Sequence, residues 1–145
     1  MNTGIFALQS DGNDFSLTTA ATYTGDWYDG FDGVAGIVAQ FRFQYGSGGT
    51  DARVYLQTSI DQGTTAIDIA CLLFGTVSQT QVLNFAGEVS SGMTGSPAIG
   101  VVPTDAALTD STVVDHILGD RFRVKIVTTG TYASSTVLSV RIAAR

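Results

Sequence analysis

Charge is what this sequence has least of. Only 14% of its 145 residues are charged, against the quarter or so usual in globular chains. It has one cysteine, Cys71, and one histidine, His116. A lone cysteine excludes an internal disulfide framework. A lone histidine leaves no second imidazole to share a metal, and no Ser-His-Asp pattern surrounds it. No apolar run approaches the roughly 18 residues of a membrane span. The start, Met1-Asn2-Thr3-Gly4, lacks the basic region and apolar core of a signal peptide. These absences lead us to expect a soluble chain, made in the cytoplasm, with no membrane contact.

Apolar residues are plentiful, at 44% with a mean hydropathy of +0.24, so the composition is not that of a disordered chain. The length suits one domain, residues 1–145, with a core of its own. Gly, Ser and Thr supply most of the remainder. A surface this poor in charge is often buried again in an assembly.

The hydrophobic period is two nearly everywhere. Ala39, Phe41, Phe43 and Tyr45 alternate with Gln40, Arg42 and Gln44; Phe122, Val124 and Ile126 alternate with Arg121, Arg123 and Lys125. Ile67, Ile69, Cys71 and Leu73 are expected on one face, as are Leu138, Val140 and Ile142. Such alternation marks strands with one buried face. About eight strands are expected, near 3–9, 14–20, 34–45, 52–60, 66–75, 80–87, 120–129 and 134–143, separated by Gly- and Asp-rich turns. A helical turn capped by Asp105 or Asp110 is the most helix the region 105–118 offers. The fold class is all-β: an antiparallel β-sandwich, with the jelly roll its favoured version. The stretch 88–112 holds both prolines and no alternation, and is expected to be an extended surface loop or arm.

Residues 59–66, "SIDQGTTA", almost spell the Asp-box of sialidases, Ser-x-Asp-x-Gly-x-Thr-Trp. Ser59, Asp61, Gly63 and Thr65 are in register, but Ala66 replaces the Trp that packs beneath the turn. In those proteins the motif is a folding device, remote from catalysis. Here the four residues are expected to shape a hairpin turn.

Other chemistry is sparse. Cys71 reads as a small core hydrophobe. Asp115 beside His116 makes no relay on an extended segment, where neighbours face opposite ways. Asp26, Asp29 and Asp32, in "GDWYDGFDG", could bind Ca²⁺ from a loop, although the spacing is not that of an EF-hand and no bidentate Glu follows. Trp27, Tyr28 and Phe31 could stack on a sugar ring or bury against a neighbouring subunit, and the interface is preferred. No catalytic residue, cofactor or metal site is expected, and the chain is not expected to be an enzyme.

The charges are segregated. All thirteen acids lie at or before residue 120, whereas five of the seven bases lie after it: Arg121, Arg123, Lys125, Arg141 and Arg145. A net charge of −6 and a pI near 4.3 argue against direct nucleic-acid binding. The Arg121/Arg123/Lys125 face could instead meet an acidic surface on a subunit or partner, setting orientation more than affinity.

"RVYLQTSIDQGTTAIDIACLLF" (53–74) and "ILGDRFRVKIVTTGTYASSTVLSVRIAAR" (117–145) resemble segments of small Thr/Gly-rich β-proteins encoded among the head genes of tailed bacteriophages, decoration (cement) proteins among them. The resemblance covers about half the chain and carries over no catalytic residue. It implies a β-rich homotrimer on the capsid exterior, clamping adjoining copies of the major capsid protein. The expected function is therefore structural, within the virion. A tail or head-fibre component, or a carbohydrate-binding module using Trp27, Tyr28 and Phe31, are the alternatives. Subunit or capsid contacts are expected at Ile5, Phe6, Leu8, Trp27, Tyr28, Phe31, Arg121, Arg123 and Lys125. Residues 1–9 could add as a strand to another sheet's edge or form an ordinary first strand.

Overall fold

A computed structural model of the chain describes residues 4–86, 103–114 and 117–145. Two antiparallel five-stranded sheets face each other across one apolar core. In the first sheet, β1 (Gly4–Leu8) lies beside β12 (Val137–Ala144), then β4 (Gly36–Gln44), then β8 (Gln79–Ala86), with the short β2 (Phe15–Ser16) also on β12. In the second, β3 (Thr22–Thr24) lies beside β10 (Arg121–Thr129), β6 (Asp51–Ser59), β7 (Ile67–Phe74) and β9 (Thr112–Val113). A two-stranded ribbon, β5 (Ser47–Gly48) with β11 (Tyr132–Ala133), closes one end.

The period-two pattern is what folds the sandwich. Ile37, Ala39, Phe41 and Phe43 of β4 point inward with Leu138, Val140, Ile142 and Ala144 of β12, all buried, while the residues between them face outward. Phe122, Val124 and Ile126 of β10 complete the core from the other sheet. Fully burying side chains of this size is worth roughly 1.5–3 kcal/mol each.

The chain departs from its sequence pattern in several places. Expected strand 14–20 shrinks to β2, and the unforeseen β3 follows beyond it at Thr22–Thr24. On β7, a bulge opposite Leu56/Gln57 resets the alternation. Ile67, Ala70 and Leu72 then pair with inward residues of β6, and Cys71 and Leu73 turn outward. Cys71 is nonetheless buried, in a second small cluster with Tyr55 and Leu108 outside the second sheet. Burial pushes its thiol up to about 11.

A further departure explains that cluster. No helical turn forms at the described positions of 105–118. Residues 103–114 instead lie as a strap across the outer face of the second sheet, with β9 as its end. Asp105 and Asp110 serve as ion-pair partners there, not as caps. Of the stretch 88–112, expected as an extended loop or arm, residues 103–112 belong to this strap; positions 88–102, with Asp115 and His116, lie outside the described residues. Residues 4–8 form an ordinary first strand, paired with β12 over five residues.

Candidate functional site

Three segments meet at one end of the sandwich: 25–34, the turn 60–66 and the approach to β10 at 117–120. Segment 25–31 runs along β10, its backbone joined to it at Gly25–Val124, Tyr28–Phe122 and Phe31–Asp120. That track distributes the three aromatics. Phe31 points into the core, edge-on to Phe6 and to Phe122 with ring centres 5.2 Å from each. Tyr28 is half-buried against the same core. Trp27 faces the other way, toward the turn and the outer face of β10.

The turn is built as its spacing predicts. Asp61 Oδ1 accepts from Thr65 N (2.7 Å) and from Ser59 Oγ (2.7 Å), and its Oδ2 accepts from Thr65 Oγ1 (2.6 Å). Ser59 Oγ in turn accepts from Gly63 N at 2.8 Å. The Thr65 hydroxyl and amide, then Ser59, hold the Asp61 carboxyl down at about 2. The missing Trp of the motif is supplied from a distance. Trp27 lies so close to Gly63 that a Cβ there would meet its Nε1 at 3.1 Å. Nothing in the local sequence 59–66 announces this partner; a lone Trp elsewhere in the chain was the only available hint.

Arg121, Arg123 and Lys125 share one face of β10, as alternation requires. Each already has an acid of its own chain. Arg121 holds Asp120 with two bonds of 3.0 and 2.9 Å; Lys125 Nζ donates to Asp105 at 2.7 Å, and Arg123 lies 3.9 Å from the same carboxylate. Both acids are held below the ordinary carboxylate value, Asp120 by Arg121 and Asp105 by Lys125. The expected basic docking face is therefore an internally matched one.

Arg123 also carries a buried polar chain. Its guanidinium stacks over Trp27 at 4.5 Å, and its Nε donates to Gln57 Oε1 at 2.8 Å. Gln57 Nε2 donates to Asp68 Oδ1 at 2.7 Å. Asp68, fully buried, accepts backbone N–H groups from Ala106 (3.0 Å), Ala107 (2.7 Å) and Leu108 (3.1 Å). Every group in this chain is satisfied, so it works as a clasp holding the strap and offers no reactive atom. A second anchor is Arg53 Nε to Asp110 at 2.6 Å.

Asp26, Asp29 and Asp32 do not converge. Asp26 Oδ2 accepts from the Asp11 amide at 2.7 Å, and among the described residues no group of three or more His, Cys, Asp or Glu could hold a metal ion. Between the loops lies a hollow of about 440 Å³, lined by Phe31, Asp32, Val34, Ile60, Gln62 and Leu118. It is a surface recess with no nucleophile and base in hydrogen-bond contact. Ile5 of the first sheet is exposed, Phe6 is half-buried and Leu8 fully buried. Of the expected contact residues, the loop end thus gathers Trp27, Tyr28, Phe31, Arg121 and Arg123 with the 59–65 turn, and leaves Ile5, Phe6 and Leu8 on the edge strand of the first sheet.

Compared with known proteins, the chain matches no family model, no curated protein and no solved structure.

Proposed function

We propose that this chain is a structural virion protein: a decoration, or cement, protein that sits as a homotrimer on the exterior of a tailed-bacteriophage head and braces the major capsid protein. The strand order carries the reading. β1, β12, β4 and β8 in one sheet, and β3, β10, β6 and β7 in the other, form the order that two Greek keys produce, and we read the sandwich as a jelly roll. That fold serves viral capsid proteins and lectins among others. Fold alone does not select a function; the surface narrows the choice. The outer face of the first sheet presents Ala7, Val38, Gln40, Thr80, Val82, Asn84 and Ala143, with Arg42, exposed, and Arg141, paired with Asp14, as its cations, a mostly uncharged face suited to contact with protein.

The same fold keeps a carbohydrate-binding module as the second reading, with Trp27 its best candidate. Arg123 stacked on Trp27 and Phe31 sunk in the core leave little of the three-ring platform that reading needs. A tail or head-fibre role would use the same interface chemistry.

The test is co-sedimentation of the purified protein with heads of the phage that carries it, stripped of or assembled without it. Saturable, stoichiometric binding that raises the heat resistance of the heads is expected. Heads that neither bind nor are stabilised by the protein contradict the proposal, and binding to a glycan array instead would install the second reading.

A further inference from the structure

Sheet edges carry unpaired backbone N–H and C=O groups, and folded proteins blunt them with short strands, Lys, Pro or bulges. The second sheet follows the rule: its edge strands are three and two residues long. The first sheet does not. β8 pairs with β4 through eight consecutive residues without a bulge, and its sequence QTQVLNFA holds no charge and no proline. The opposite edge, β1, is GIFAL, equally neutral. Among the described residues, no backbone–backbone hydrogen bond reaches the outer side of either strand.

Two exposed side chains mark these edges. Ile5 is 77% exposed and Val82 55%. Ile5 lies opposite Ala143, which pairs with Val38, and Val82 lies opposite Gln40, which pairs with Arg141. Both therefore stand on the outer face of the same sheet, at its two extremes. Successive strands of this sheet alternate in direction, so β8 runs opposite to β1. A β1 from another copy can thus extend the sheet beyond β8 as its next antiparallel strand.

We infer that β8 of one copy pairs with β1 of the next, with Ile5 of the neighbouring copy set against Val82. That register places its Phe6 beside Gln81 and its Gly4 beside Leu83 on the inner face. The backbone groups of both edges are satisfied, two apolar side chains leave water, and neither strand brings a charge to oppose the approach. The two edges differ, so the joint is head-to-tail and must close as a ring or run on as a filament. The closure at three rests on the trimer proposed above.

Cysteines at the two positions test the joint, because directly opposed strand residues lie within disulfide reach. Under mild oxidation the double variant Ile5→Cys/Val82→Cys should give a covalent closed trimer on a non-reducing gel, while either single variant gives no cross-link. Cys71, buried beneath the strap, stays out of the reaction. Val82→Lys, a charge on the joint, should give a folded, β-rich monomer. Dimers from Val82→Cys alone would replace the joint with a two-fold β8–β8 contact. A trimer that persists in Val82→Lys, or a folded double variant that never cross-links, overturns it. Both readouts are independent of head binding, so a ring that ignores heads would sink the cement proposal and leave the joint standing.

Discussion

Gly63 is held at φ 89° with Trp27 against it. A valine there must adopt a left-handed backbone and push the indole aside. Gly63→Val should cost about 1–3 kcal/mol, read as a lower midpoint in thermal or denaturant unfolding. An unchanged midpoint would remove the structural account of the turn. Asp61 adds a pH signature. Its carboxyl, drawn down to about 2 from an ordinary 3.8 by Thr65 and Ser59, stabilises the fold fully above the ordinary value, and that contribution disappears as pH falls through about 2. Asp61→Ala should therefore melt earlier than the parent at pH 7, and the gap should narrow below pH 4. A gap that stays constant to pH 2 would assign the loss to something other than the carboxylate. The turn was legible in the sequence because its partners lie two to four residues apart. Trp27 was not, because its contact with Gly63 exists only after segment 25–31 has lined up along β10.

At the scale of elements, the strap 103–114 separates two kinds of bond. Asp68 is buried and satisfies three backbone N–H groups. Its removal leaves those donors without a partner, so Asp68→Ala should cost about 3 kcal/mol or more and speed hydrogen exchange at residues 106–108. Lys125→Ala breaks a pair whose acid is largely exposed and should cost less than about 1 kcal/mol. Equal costs for the two variants would refute this division. Most strands were readable from alternation, since each has one face on the core. The strap was not. Asp105 and Asp110 have the spacing and chemistry of helix caps, and only the strand cations Lys125 and Arg53 show why they are used otherwise. The β7 bulge was hidden for a similar reason: Ile67, Ile69, Cys71 and Leu73 alternate perfectly as written, and burial of β7 on both faces removes the polar contrast that fixes a register.

At the scale of the whole molecule, the two faces of the sandwich are treated differently. The second sheet wears its own strap, with its cations matched to its own acids. The first sheet keeps an outer face whose cations are Arg42 and Arg141 among neutral side chains, and two neutral edges, and these are what an assembly can use. A binding module would function as a single copy, whereas a cement protein must present several to its shell. The most direct measurement is the mass in solution, by sedimentation equilibrium across micromolar concentrations and at low and high salt. One species of three 15.1 kDa chains that does not dissociate with salt is expected, because the proposed joints are backbone and apolar. A monodisperse 15.1 kDa species throughout that range would contradict it.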